Sequence, residues 1–100
     1  MFYVLRYFMV DDFEIKREKF RSEHLAHIRR SVELGKILVG GACGVPIKQG
    51  LIIFKVGDQQ EVHDFVAEDV YFRNGIVFNY EVNEWHLVVG ADLLECAMDK

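Results

Sequence analysis

Residues 16–34 read KREKFRSEHLAHIRRSVEL, and this stretch decides how the rest of the chain is read. At 100° per residue, Phe20, His24, Leu25, Ile28 and Val32 share one arc, while Lys19, Glu23, Arg29, Arg30 and Glu33 fall outside it. The pattern predicts an amphipathic helix, closed by Gly35. His24 is a titratable ring on the apolar arc. An unpartnered buried polar group costs about 1–3 kcal/mol, so His24 needs a partner elsewhere in the fold.

Upstream of the helix, MFYVLRYFMV is ten residues interrupted by Arg6 and followed by Asp11 and Asp12. It is too short to span a bilayer and carries no cleavage site, so it reads as a strand. Downstream, Lys36–Val39 is a short β-type run, and GGACGVPIKQG (40–50) reads as a glycine-rich middle loop. LIIFKV (51–56) is a β-branched, aromatic strand. Asp58, with Glu61 three residues on, resembles a capping box that opens a second helix running to about Phe72. Asn74-Gly75 ends that helix. Ile76–Val82 alternates Phe78, Tyr80 and Val82 with Asn79 and Glu81 as a half-buried strand. The order β-α-β-β-α-β predicts an α+β ferredoxin-like sandwich, an antiparallel sheet with both helices on one face. This domain occupies residues 1–86. Residues 87–100 form a C-terminal extension, an edge strand or short helix able to reach a dimer interface.

One hundred residues suit one domain. The chain is 51% hydrophobic with 13 aromatic residues, generous for a small core. Strands 1 and 3 are apolar on both faces: Phe2, Val4 and Phe8 against Tyr3, Leu5 and Tyr7, then Ile52 and Phe54 against Leu51 and Ile53. Helices cover one face only, so the other calls for a second copy, and a homodimer through the sheet face is expected. The formal charge is −4, divided as +3 over residues 1–50 and −7 over residues 51–100. That balance argues against nucleic acid, and no segment suits a membrane span. Cys43 and Cys96, without CxxC spacing, read as reduced thiols of a cytoplasmic protein. A buried strand end suits Cys43.

In the second helix Val62, Phe65, Val66 and Asp69 have the offsets 0, 3, 4 and 7, which puts Asp69 in a core-facing slot. Two helices side by side on one sheet face bring such intruders together. A carboxylate that accepts from one imidazole nitrogen fixes the tautomer and raises the basicity of the other, leaving it to move a proton. The same pair also serves as a structural link between helices. Arg21, one turn before His24, suits either an anion anchor or a surface arginine with a buried stem. His27 falls on the polar edge, and His63 and His86 look exposed. No histidine has metal-ligand spacing with a cysteine or carboxylate, so neither metal nor cofactor is expected. Gly40-Gly41-x-x-Gly44 lacks the residues of a phosphate loop and reads as a flexible hairpin beside the site.

Taken together, Met1–Leu5 (MFYVL), Arg21-x-x-His24-Leu25, Gly35, Gly40-Gly41, Asp69-x-Tyr71-x-x-x-Gly75 and Trp85 resemble the YciI-like (YCII-related) family over residues 1–86. The resemblance implies a ferredoxin-like dimer similar to muconolactone isomerase, with an active site built on His24 and Asp69. It further implies, for some members, dehydrochlorination of aromatic compounds. Tyr71 is then a pocket-lining residue. The chain departs from the family pattern at Asp69-Val70, where Asp-Pro is frequent, and its middle segment is short. The function expected is a cofactor-independent lyase or isomerase. His24 is its acid/base, Asp69 the orienting carboxylate, and Arg21 the anchor for a small anionic substrate, aromatic compounds included. The alternatives are a non-catalytic small-ligand-binding or interaction module with a structural His–Asp pair, and an adaptor using the basic first helix.

Overall fold

The computed structural model describes the backbone of residues 1–98 and the side chains of residues 1–94. β1 (Phe2–Met9) alternates strictly: Tyr3, Leu5, Tyr7 and Met9 are buried under the helices, while Phe2, Val4, Arg6 and Phe8 point to the other face and stay half-buried. It lies at the centre of a four-stranded antiparallel sheet of order β2-β3-β1-β4, with β2 at Ile37–Cys43, β3 at Gln49–Lys55 and β4 at Val77–Glu84. This is the ferredoxin-like α+β topology.

The long first helix is segmented. Phe13–Lys16 forms α1, Glu18–Phe20 a single 3-10 turn, and Arg21–Glu33 the main helix α2. Phe13 buries its ring from α1, so the element starts earlier than periodicity predicts. Leu34 continues the last turn and Gly35, at φ 75°, ends it in the left-handed conformation that glycine adopts without a Cβ penalty.

The predicted middle loop is mostly strand. Gly40 and Gly41 lie inside β2, paired with Ile52 and Leu51 of β3, and the hairpin shrinks to residues 44–48. Glycine marks close approach here rather than a turn: a Cβ on Gly50, opposite Ala42, would lie 2.8 Å from Met9 Cε. Cys43, at the end of this edge strand, is exposed rather than buried, and its thiol is free. Cys96 lies outside the residues whose side chains are described.

The second helix breaks where the chemistry lies. α3 (Gln60–Glu68) has Gln59 rather than Asp58 as its N-cap; Asp58 lies one residue before it and accepts from Gln60 N–H at 2.9 Å, while Glu61 pairs with Lys36 instead of closing a capping box. It stops at Asp69, whose ψ of 123° is extended, and α4 (Val70–Arg73) starts anew. Asp69 Oδ1 accepts from Tyr71 N–H at 3.0 Å, so Asp69 is the N-cap of α4 rather than a residue inside one helix. Val70 is then the first helical residue, a position that proline also suits. Val62, Phe65, Val66, Val70 and Tyr71 join Tyr3, Leu5, Tyr7, Phe54 and Val77 in one core.

After β4 the chain forms α5 (Ala91–Met98), which packs near β2 at the opposite edge of the sheet. Within the extension, residues 87–90 are irregular and the helix begins at Ala91. No described helix is long and apolar enough to cross a membrane.

Candidate active site

His24 and Asp69, 45 positions apart, meet under the helices. His24 Nδ1–H donates to Asp69 Oδ1 at 2.8 Å, and Asp69 is fully buried (0% exposed). The same carboxylate takes two further bonds: Tyr71 N–H on Oδ1, and Tyr7 O–H on Oδ2 at 2.7 Å. Three donors from β1, α2 and α4 therefore hold one carboxylate. A buried charge is tolerated on that condition. The Tyr7 hydroxyl pays for its place by staying protonated: burial first, then the adjoining Asp69 charge, pushes its pKa far above the usual phenol range.

The His24 ring lies flat on Tyr71, with centroids 3.7 Å apart and planes 8° apart. Stacking and the Asp69 bond together fix the ring's position and tautomer. Nε2 has no hydrogen-bond partner among the described residues and is not sealed from solvent. His24 lines a cavity of about 530 Å³ between α1, α2, α4 and the β2–β3–β1 part of the sheet. Its apolar wall is Met9, Leu25, Ile28, Val32, Ile37 and Ile52, and Gly40, Gly41, Ala42 and Gly50 make a low floor. That volume suits a single-ring molecule.

Leu25 and Val32, placed by periodicity on the buried arc, are 38% and 48% exposed because the arc faces this open cavity rather than solid core. Arg21 is exposed and lines the cavity; Tyr71 lines it too. Burial raises the Tyr71 hydroxyl's pKa, while Arg17 and then Arg21 pull it down.

Three residues differ from the sequence expectation. His27 is buried, not on a polar edge: α3 packs beside α2, and His27 Nε2–H donates to Phe65 O at 2.8 Å with its ring stacked on Phe65. His63 is half-buried, with Nδ1 2.8 Å from the Tyr80 hydroxyl. Tyr7 is the site residue that spacing missed. Its inward slot in β1 was legible, and a buried phenol demands a partner, but nothing in the sequence says which. His86 is exposed as expected. Among the described residues no three His, Cys, Asp or Glu side chains cluster as metal ligands.

The molecule is thus an α+β ferredoxin-like domain that carries a buried His–Asp pair beside a cavity. A family model for the YCII-related domain matches residues 1–86, and the chain belongs to that family. Among solved structures, the fold is similar to that of 5-chloro-2-hydroxyhydroquinone dehydrochlorinase (TftG) from Burkholderia phenoliruptrix, in complex with 2,5-dihydroxybenzoquinone. The TM-score is 0.75 at 22% identity, covering 88% of this chain and 96% of that one. None of the curated proteins compared matches the chain significantly.

Proposed function

We propose that this protein is a small homodimeric enzyme that moves a proton on a small anionic, aromatic-type substrate, by elimination or isomerisation, without a cofactor. The observation that carries the reading is the asymmetry of His24, whose ring lines the cavity: Nδ1 is committed to Asp69, while Nε2 has no hydrogen-bond partner among the described residues. His24 is the general acid/base and Asp69 its orienting carboxylate. Arg21 anchors the anion, and Tyr71 lines the pocket and backs the imidazole.

In an elimination, Nε2 takes a proton from the substrate, the electrons of that bond form a new π bond, and a halide leaves with its own pair. The sum is loss of a hydrogen halide, with no oxidant or reductant needed. In an isomerisation the imidazolium returns the proton to a different atom. The likeness to a dehydrochlorinase holding a quinone favours the first course.

Dimerisation through the open sheet face is supported by half-buried Phe2, Val4, Phe8 and Leu51 on that side. Light scattering at micromolar concentration tests it; a monomer refutes it. The free Cys43 thiol accords with a cytoplasmic location.

The test of function is chloride release from 5-chloro-2-hydroxyhydroquinone by wild type and H24N. Loss of at least about 100-fold in H24N, with the fold intact, is the expected result. Equal rates overturn the acid/base role of His24. Binding of 2,5-dihydroxybenzoquinone without any turnover favours the non-catalytic ligand-binding module instead.

A further inference from the structure

Arg17 has no role in the reading above, yet its surroundings are unusual. It follows α1, and its guanidinium lies 5.0 Å from the Phe13 ring centroid. Its Nε is buried without a hydrogen-bond partner, the only such side-chain atom among the described residues. A buried donor left in that state costs about 1–3 kcal/mol, and a cation makes the deficit larger.

Arg17 and Arg21 are four residues apart and line the same cavity, together with Tyr71 and His24. Like charges at this spacing repel. Neither guanidinium forms an ion pair with a carboxylate among the described residues. Glu18, the acidic neighbour between them, is exposed and pairs with neither.

We propose that Arg17 is a second ligand-binding residue, and that Arg17 and Arg21 form a two-pronged clamp for an oxyanion shared over two oxygens, such as a carboxylate or a hydroxyquinone enolate. A guanidinium fork matches two such oxygens where an ammonium meets them as a point charge. The anion balances the charge of the two guanidiniums, relieves the repulsion between them, and leaves the ring of the ligand against the apolar wall beside His24. The proposal rests on the cavity taking a small anion, but not on His24 moving a proton.

The test is binding rather than turnover. The Arg17 Nε–H signal in ¹⁵N-labelled protein, assigned by its loss in R17K, is followed during titration with 2,5-dihydroxybenzoquinone, benzoate and the neutral 2,5-dimethoxybenzoquinone. The expected result is a saturable shift with the dihydroxyquinone, benzoate or both. R17M should bind the anion at least about 10-fold more weakly, a loss of about 1.4 kcal/mol. R17K should fall between, and affinity for the neutral quinone should stay unchanged. Wild-type anion affinity in R17M and R17K overturns the clamp, as does equal loss for neutral and anionic probes, which marks a packing role. Absence of binding by both anions up to about 10 mM also overturns it. A folded R17K keeps the comparison decisive if R17M fails to fold. Failure of the acid/base reading appears separately, as undiminished chloride release by H24N.

Discussion

His24 and His27 lie one turn apart on α2 and are packed almost alike. Each is buried (8% and 7% exposed), each stacks on an aromatic ring from the neighbouring helical segment, and each bonds through one nitrogen to an acceptor there at 2.8 Å. The acceptors and the second nitrogens differ. His27 donates to a neutral backbone carbonyl, and its Nδ1 faces Arg30 Nη2 at 3.4 Å. His24 donates to a carboxylate and keeps Nε2 open beside a cavity. A buried histidine with both nitrogens engaged is a fastener. One with a charged partner on one side and space on the other is equipped for proton transfer. Burial and spacing do not separate the two; the second nitrogen does.

Exchanging the two roles gives the sharpest test. H24N retains an amide N–H able to reach Asp69, so its melting temperature should lie within a few degrees of wild type while turnover falls about 10²–10⁴-fold. H27N should do the reverse, keeping turnover within a few-fold and losing stability. If both variants lose activity equally without unfolding, the distinction between the two histidines of α2 collapses. Next in size is D69A, which strands His24 Nδ1 and the Tyr7 hydroxyl and uncaps α4. Urea unfolding should show a loss of about 3 kcal/mol or more, with activity abolished. A loss under about 1 kcal/mol would mean that water replaces the carboxylate.

The fold was largely legible, for reasons visible in particular residues. Alternation in β1 and the 0, 3, 4, 7 offsets from Val62 name the faces that are buried, because periods of 2 and 3.6 survive without tertiary information. The offsets placed Asp69 inward, although by a different backbone: an extended residue capping α4 occupies the slot predicted for an unbroken helix. The glycines misled, because Gly40 and Gly41 in an edge strand look like loop until β3 supplies their partners. Periodicity sets His27 on the polar edge because it sees one helix at a time, and what buries His27 is α3. The cavity itself was not readable; it is a space between elements.

Two smaller effects sharpen the comparison. H27F keeps the stacking on Phe65 but removes the bond to its carbonyl, and should cost about 1–2 kcal/mol in urea unfolding, with turnover near wild type. A loss as large as that of D69A would show that the fastener carries as much as the charged pair. Y7F removes one of three donors to Asp69 and should cost about 1 kcal/mol near neutral pH. Its pH dependence has a definite sign. A phenol whose folded pKa is raised holds its proton when the unfolded chain has lost it. Its contribution is therefore full below about pH 10 and declines as pH rises above that, by about 1.4 kcal/mol per pH unit. Y7F should flatten the alkaline fall of stability measured by urea unfolding between about pH 10 and 11; an unchanged slope would assign that fall to other tyrosines.

Leu25, Val32 and Val39 stand half exposed at the mouth of the cavity, outside the packed core. Substitutions at such positions usually change stability by no more than about 0.5 kcal/mol, yet they reshape what the cavity admits. These three rim residues are therefore separate from the core that holds this small domain together, whereas Tyr7, Met9, Ile37, Ile52 and Tyr71 belong both to that core and to the cavity wall. The rim of the cavity is thus free to change in single steps that the folding equilibrium does not register.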